Sequence, residues 1–399
     1  MSRIPVMIPW LGEAEAEAVA ETVRSGWVAQ GPRVAAFEAA FAARVQAPAA
    51  VAVSNCTTAL HLALVMAGIG PGDEVIVPSL SFIATANVVC HQQAVPVFAD
   101  VDPVTQNLTP ATIEAVLSPS TCAVIAVHQG GTPLDLDPLR AFCAERDLVL
   151  IEDAACAVGS TYRGRPIGAD ARYAAFSFHP RKLLTTGEGG MLVTDDRALA
   201  DRGRRLREHG MNLSAAARHG SNTVTLESYT EVGFNYRMTD LQAALGLVQL
   251  GRLEAMIARR RELAARYQQA LSELPGLITA TDPEYGTSNY QSFWVLLPDS
   301  FPIGRDALLQ VLLDNDISAR RGIMAAHCEP AYAGHSHTSL PVTERLTARS
   351  LILPLYHQLS TADQDRVIDV LRREARGVSL SGAGTGSMTG SSTGSMTRG

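Results

Sequence analysis

The sequence predicts an α/β protein: a three-layer α/β/α large domain built on a mostly parallel sheet, followed by a smaller C-terminal α+β domain. Three observations carry this. The chain has 399 residues, too many for one simple core. Its first half alternates short, continuous apolar runs with helical patterns, as strands covered on both faces and joined by helices must. Past residue 194 the alternation stops, giving way to a polar segment, a long helix and a mixed set of short strands and helices. The expected divisions are a large cofactor-binding domain with an N-terminal arm over 1–250, a small domain over 251–376, and a tail over 377–399.

Residues 1–12, interrupted by Pro5, Pro9 and Gly12, read as an irregular arm, and Glu13-Ala14-Glu15-Ala16-Glu17 opens a helix reaching about Arg24. A glycine-bounded turn over 25–32 exposes one aromatic, Trp27, before a second amphipathic helix over 34–44. Candidate strands follow at 49–53, 74–77, 95–98, 123–127, 148–151, 173–178 and 190–194, with helices at 58–66, 110–117 and 136–145 between them. A charged helix over 197–208 leads into a polar, glycine-punctuated stretch, 209–237, long enough to be functional or mobile. Next come a helix from Thr239 to about Leu271, a strand over 290–297, a helix over 305–314, a short strand near 317–320, and a helix over 361–376 capped by Ser360. The tail is almost wholly Gly, Ser, Thr, Met and Ala, which cannot bury a core, and reads as disordered or as a cloning remnant.

Composition narrows the function. Hydrophobic residues are 47% and charged residues 18%, and the net charge of −7 offers no field for nucleic acid. Arg252, Arg259, Arg260, Arg261 and Arg266 cluster, but apolar residues interleave at helical spacing, so the expectation is one solvated helix face. Six scattered cysteines without paired spacing suggest small buried hydrophobes in a reducing compartment. With no signal-like segment and no membrane-length apolar run, the expectation is a cytoplasmic protein that uses neither membrane nor metal.

Of the 33 basic residues, 32 are arginine and one, Lys182, is lysine. Arginine serves wherever fixed charge is wanted; only lysine can lose its proton, once burial or nearby charge lowers its pKa, and attack a carbonyl. Lys182 sits after an apolar, strand-like run, 174–178, beyond Pro180 and before the turn Thr186-Gly187-Glu188-Gly189-Gly190. Other strand ends carry matching groups. Cys56, Thr57 and Thr58 open a helix, where free N–H groups and the dipole suit a phosphate, although either threonine could simply cap that helix. Glu152-Asp153 ends a buried strand, where a carboxylate commonly caps the next helix or meets a metal; in a lysine Schiff-base enzyme Asp153 would be the better placed to pair with a pyridinium nitrogen. Phe82, after another strand, could stack on a flat ring or belong to the core, and Ser177 could add a hydroxyl to the phosphate. Phosphate cup, stacking aromatic, carboxylate and lysine together fit pyridoxal 5′-phosphate.

On these residues, and on four longer stretches, the chain resembles the DegT/DnrJ/EryC1/StrS sugar aminotransferases, fold-type I pyridoxal-phosphate enzymes. The stretches are FSFHPRKLLTTGEGGM (176–191), GFNYRMTDLQAALG (233–246), EDAACAVG (152–159) and GWVAQGP (26–32). The resemblance, spanning roughly residues 6–375, implies that Lys182 carries the cofactor, Asp153 meets its ring nitrogen, Phe82 stacks on the ring, and Thr57, Thr58 and Ser177 hold the phosphate. It also implies that Asn235 reaches the phosphate of a neighbouring subunit, hence a homodimer with shared sites. Arg237, Arg320, Arg321, His327 and Tyr332 become candidates for substrate contact, with His128, His179 and Arg181 as further possibilities. Two positions depart from the pattern: Cys156 stands where many members have Gln, and Cys56 where Gly is frequent.

The implied reaction is transamination from glutamate or glutamine to a keto-sugar nucleotide or a ketocyclitol, in amino-sugar, antibiotic or cell-surface glycan biosynthesis. Three alternatives share the fold: a dehydratase with His in place of the lysine, which Lys182 opposes, an aromatic amino-acid synthase, and a non-catalytic regulatory protein.

Overall fold

The first two helices are set by a long helix from much later in the chain. In the computed structural model, which describes residues 3–213 and 226–377, α1 (Glu13–Ser25) and α2 (Pro32–Arg44) both pack on α8 (Asp240–Leu271). Helix α2 begins with Pro32 at its first position and has only Gly31 as its N-cap, so no side chain of its own satisfies its free amides. Asp240, the first residue of α8, does so instead: its carboxylate accepts from the N–H groups of Gly31 (2.8 Å), Arg33 (3.0 Å) and Val34 (2.9 Å). Two of the stretches on which the family resemblance rests, 26–32 and 233–246, are thereby joined by one buried carboxylate.

The apolar runs become the strands of a seven-stranded sheet. They are β1 (Ala49–Val53), β2 (Glu74–Pro78), β3 (Val95–Ala99), β4 (Thr121–Val127), β5 (Val149–Asp153), β8 (Ala174–Ser177) and β9 (Gly190–Thr194), in the order β1-β9-β8-β5-β4-β2-β3. The β3/β2/β4/β5/β8 pairings are parallel, and β9 runs antiparallel to both β8 and β1. Helices α3 (Cys56–Met66), α4 (Ala84–His91), α5 (Pro110–Glu114) and α6 (Leu136–Ala144) connect successive strands, and α7 (Arg197–Leu206) follows β9. Apolar side chains from opposite faces of the sheet enter two separate cores, one toward α2, α6 and α8 and one toward α3, α4 and α7, which is the three-layer arrangement. A small three-stranded sheet joins β6 (Thr161–Tyr162) to β7 (Arg165–Pro166) and to β11 (Gly286–Thr287).

After α8, an antiparallel sheet of order β10-β12-β14-β13 is built from β10 (Ile278–Thr279), β12 (Phe293–Leu296), β13 (Arg320–Arg321) and β14 (Ser350–Leu353). It carries α9 (Arg305–Asp314), α10 (Pro341–Arg349) and α11 (Thr361–Ala375). Several expectations need correction. The helix expected over 110–117 stops at Glu114, and the strand expected near 317–320 is Arg320–Arg321. Helices α4 and α10 and the strands β6, β7, β10, β11 and β14 were not expected. The arm is not wholly irregular, since Ile4 bridges to Ile317 in parallel. Trp27 is half-buried, its indole N–H on the Gln30 carbonyl at 3.2 Å. The expected tail, apart from Gly377, and residues 214–225 of the polar segment lie outside the described residues.

The largest correction concerns Arg260, expected on a solvated face but 4% exposed. The small domain and the arm fold over it, and its guanidinium donates to the carbonyls of Tyr290 (2.8 Å), Gln291 (2.7 Å) and Leu355 (2.9 Å). Burial lowers its pKa to about 10, so it stays charged at neutral pH. Periodicity located the right helix face; a neighbouring domain then covered part of it.

The Asp240 cap gives a test. Asp240→Ala leaves three helix-start amides without an acceptor and should cost about 2–4 kcal/mol, since each unmade buried bond costs roughly 1–3 kcal/mol and water recovers part at Arg33. Asp240→Asn keeps one acceptor oxygen and should cost less. Denaturant midpoints of the two variants against the parent check both outcomes.

Candidate active site

Cys56, Thr57, Thr58, Phe82, Asp153, Cys156, Ser177 and Lys182 all follow or end strands β1, β2, β5 and β8 of the large sheet, at the carboxyl ends where α/β proteins place ligands. The reason is topological. Strands β5 and β8 are parallel neighbours, with Asp153 paired with Ala175, so their ends bring Asp153 and Ser177 to the same side. Strand β9 starts at Gly190 directly opposite Ser177. A Cβ on Gly190 would lie 2.4–2.6 Å from the backbone of Asn55 and Cys56, so only glycine lets β9 approach the start of α3 this closely.

At that helix start, Asn55 is the N-cap and accepts from Thr58 N at 2.9 Å, while Thr58 Oγ1 donates to the Asn55 carbonyl at 2.7 Å. The cap is therefore Asn55, neither of the two threonines considered for it. Cys56, Thr57 and Thr58 are half-buried around a helix N-terminus whose dipole favours an anion. Ser177 is buried, with the His179 amide 3.5 Å from its Oγ.

Lys182 lies in a loop closed from both sides. Phe178 and Thr186 bond across it (Phe178 N to Gly189 O, 2.9 Å; Thr186 N to Phe178 O, 2.9 Å), and Gly187 takes a left-handed φ of 82° at the turn. From the small domain, Gln291 accepts from Leu183 N at 2.7 Å and donates to Arg181 O at 2.7 Å, gripping the peptides on either side of Lys182. Asn289 donates to the carbonyls of Cys156 and Val158, both at 2.8 Å. The lysine amine donates to Cys156 Sγ at 3.0 Å.

The electrostatics of the buried groups are coupled. Burial pushes the Asp153 carboxyl above its usual value, against the opposing pull of the Ala155 amide, Lys182 and the Thr85 hydroxyl. Thr85 donates to Asp153 at 2.9 Å and the Ala155 N–H at 3.1 Å, which holds both oxygens. For Lys182 the expectation of a lowered pKa is corrected in the cofactor-free chain. Burial works against its charge, but Cys156, Cys56 and Asp153 outweigh it and hold the amine above the ordinary lysine value. Burial first, and Asp153 next, push the Cys56 thiol well up.

Glu152, one residue before Asp153, points to the other face of β5 and is a structural group. Its oxygens meet His128 Nε2 at 3.2 Å and Arg140 at 2.9 Å. Leu134 N donates to His128 Nδ1 at 3.0 Å, which places the ring proton on Nε2, so this histidine is a satisfied core group. His179 is half-exposed and accepts from Arg181 N at 3.1 Å.

The remaining candidates separate by location. Phe82 is 70% exposed, so it does not belong to the core, and it stands on the loop after β2. His327 clamps that loop through Ser79, with His327 N to Ser79 Oγ at 3.1 Å and Nδ1 to Ser79 Oγ at 2.5 Å. Tyr332 is buried on α4, its hydroxyl donating to Asn87 at 2.7 Å. Asn235 is exposed and bridges Glu208 through its backbone; Arg237 bridges the end of β1 at Val53 and lies 4.0 Å from Glu208. On β13, Arg321 is exposed with Glu329 at 3.2 Å, whereas Arg320 is half-buried and its Nε has no partner among the described residues. Thr85, Asn289 and Gln291 went unread in the sequence. The polar run Ser288-Asn289-Tyr290-Gln291 before an apolar strand was the available signal, and Tyr290 there adopts a left-handed φ of 50°. No group of three or more His, Cys, Asp or Glu side chains able to hold a metal occurs among the described residues.

These residues fit pyridoxal phosphate. The lysine amine and a buried carboxylate lie within electrostatic reach of each other, a helix N-terminus with hydroxyls follows another strand of the same sheet, and an exposed aromatic stands on the loop after a third. Fold and site define a pyridoxal-phosphate-dependent aminotransferase of fold type I. More narrowly, the chain belongs to the DegT/DnrJ/EryC1/StrS aminotransferase family, whose model matches residues 9–372. Its sequence is 43% identical over 380 residues to the spore coat polysaccharide biosynthesis protein SpsC of Bacillus subtilis strain 168, covering 94% of this chain and 97% of that one. It superposes on DesI solved in the presence of its TDP-sugar product with a TM-score of 0.84 at 35% identity, covering 94% of each chain. For the PLP form of the Streptococcus pneumoniae protein Spr1654, described as a sugar aminotransferase, the TM-score is 0.86 at 27% identity, covering 95% of this chain and all of that one.

The raised pKa of Asp153 sets a pH signature. A carboxyl whose folded pKa exceeds its unfolded value binds its proton more tightly when folded, so stability is lost as pH rises from the unfolded value through the folded one. Asp153→Asn in the cofactor-free protein should therefore raise the melting temperature at pH 7, and the gain should shrink toward zero at acid pH. A melting series of both proteins across pH checks this.

Proposed function

We propose that this aminotransferase moves an amino group from glutamate or glutamine to the ketone of a nucleotide-linked sugar or a ketocyclitol, working as a cytoplasmic homodimer with shared sites. The observation that carries the reading is the single lysine, held by both domains at the sheet edge within electrostatic reach of the buried Asp153. A sugar-nucleotide acceptor is supported by DesI, a relative of matching fold that was solved with a TDP-sugar. A dimer is supported by apolar surface beside the site: Val232 is 91% exposed and Tyr229 62%, both on the segment that carries Asn235.

Pyridoxal phosphate, when bound, supplies a carbonyl that holds the amino group in transit and a ring that takes up negative charge. The chain's own groups do the rest. Cys56, Thr57, Thr58 and Ser177, with the α3 amides, would hold the phosphate, joined by Asn235 across the dimer. Asp153, oriented by Thr85, would keep a proton on the ring nitrogen. Phe82 would cover one face of the ring. Cys156 lies beside the lysine amine and replaces a stronger hydrogen-bonding amide. The Lys182 amine would take the proton from the donor's α-carbon and give it to the carbon that takes up the nitrogen, serving as base and then acid. Arg237, Arg320, Arg321, His327 and Tyr332 are the side chains to examine for acceptor and donor selection, Arg237 being nearest to the phosphate cup by its pairing with Val53.

The experiment is a half-reaction screen. Protein loaded with pyridoxal phosphate should lose its aldehyde absorbance on addition of glutamate or glutamine, and the aminated form should regain it with a keto-sugar nucleotide or a ketocyclitol. Lys182→Ala should slow both half-reactions on the order of 100- to 10,000-fold, the usual contribution of a positioned acid–base group. A wild-type protein that binds the cofactor yet exchanges no amino group would speak for a regulatory role instead.

A further inference from the structure

The single lysine rests on a sulfur. Of the six cysteines, only Cys156 is hydrogen-bonded to Lys182 among the described residues, its Sγ 3.0 Å from the amine. Both side chains are half-buried, within reach of a molecule as small as hydrogen peroxide. One short segment holds both partners. Asn289 donates to the Cys156 carbonyl at 2.8 Å, and Gln291 accepts from Leu183 N and donates to Arg181 O, both at 2.7 Å. Gln291 N donates in turn to Asn289 Oδ1 at 2.8 Å, which ties the two grips together. Groups fixed against each other in this way react as if at very high concentration.

The chemistry of the pair is that of an oxidation site. A thiol beside a positively charged nitrogen is the kind that oxidants select, because the thiolate is the reactive form. The charge on Lys182 depends in turn on Cys156, which opposes burial more than Cys56 or Asp153 does. Oxidation of that thiol removes its support and leaves burial to strip the ammonium of its proton, and a neutral amine is a nucleophile. Cys56, the other thiol in electrostatic range, is pushed well up by burial and is the poorer target.

We propose that Cys156 and Lys182 form an oxidation site, at which hydrogen peroxide joins the sulfur to the nitrogen and closes the amine to the cofactor. Peroxide first converts the thiol to a sulfenic acid: sulfur gives up two electrons, the O–O bond breaks, and water leaves. The amine then attacks that sulfur. An S–N bond forms, the S–O bond breaks, and hydroxide departs with one amine proton as a second water. Thiol, amine and one peroxide thus become a sulfenamide and two waters. Two equivalents of an added thiol restore cysteine and amine and are themselves oxidised to a disulfide. The step needs a free amine, so pyridoxal phosphate already joined to Lys182 protects against it. The effect on cofactor loading rests on the reading of Lys182 as the point of attachment; the S–N bond itself does not.

The test treats cofactor-free, full-length protein with hydrogen peroxide, removes the excess with catalase and divides the sample. Peptide mapping without reductant should find the Cys156 and Lys182 peptides joined, at the sum of their masses less two hydrogens, and dithiothreitol should part them. Pyridoxal phosphate added to the other half should fail to develop the absorbance of its lysine-bound form until dithiothreitol restores it. Each variant is compared with its own untreated sample. Cys156→Ser should keep its loading through peroxide, whereas Cys56→Ser should lose it as wild type does. Protein loaded before the peroxide should yield no joined peptide. The proposal is overturned by absence of the joined peptide from oxidised wild type, by a Cys56–Cys156 disulfide in its place, or by a Cys156→Ser protein as sensitive as wild type. If Cys156→Ser does not fold, the wild-type mapping decides alone. Should the joined peptide form while loading is unaffected, the S–N bond stands and the reading of Lys182 as the attachment point fails.

Discussion

A carboxylate and an amine held out of water at the same edge of one sheet are the constraint on which the rest of this structure depends. Neither ion is comfortable there. Burial disfavours the charge on Asp153 and on Lys182 alike, and each is partly offset by the other and by fixed donors such as Thr85 and the Ala155 amide. The parallel order of β4, β5 and β8 puts Asp153 at this end of the sheet, and the antiparallel return of β9 brings the start of α3 alongside. An apolar replacement of either group would relieve burial. Groups so perturbed mark this end of the sheet as a candidate functional site.

The second requirement is that both domains hold the lysine loop. Gln291 grips the peptides flanking Lys182, and Asn289 fixes the Cys156 turn on which the amine rests. Arg260 fastens the same segment by its carbonyls from α8. A shift of the small domain would therefore move the amine relative to Asp153. The segment after α8 thus helps to hold the lysine loop, and Arg181 of that loop lines a cavity together with Arg260 and Arg320.

Much of this was legible from residues alone. The seven continuous apolar runs gave the sheet, because strands covered on both faces leave no polar alternation to mislead. Lys182 stood out because a chain with 32 arginines has no need of one lysine for charge. What stayed hidden was hidden for physical reasons. The strands β6, β7, β10 and β11 are two residues each, too short to show a period. Helix α10 was announced only by Pro341 at its first position, and α4 is eight residues long. Arg260 could not be read as buried because its partners are carbonyls, which carry no sequence signature. The same holds for Thr85 and Gln291, whose roles depend on meeting residues 68 and 108 positions away.

The central claim is that the amine of Lys182 is the point at which the protein joins its cofactor. Borohydride reduction of the loaded protein, followed by peptide mass mapping, tests it most directly. The account requires a stable phosphopyridoxyl mass on the peptide containing residue 182 and its loss when excess glutamate is added before the reductant. A protein that holds pyridoxal phosphate but yields no adduct on that peptide would contradict it.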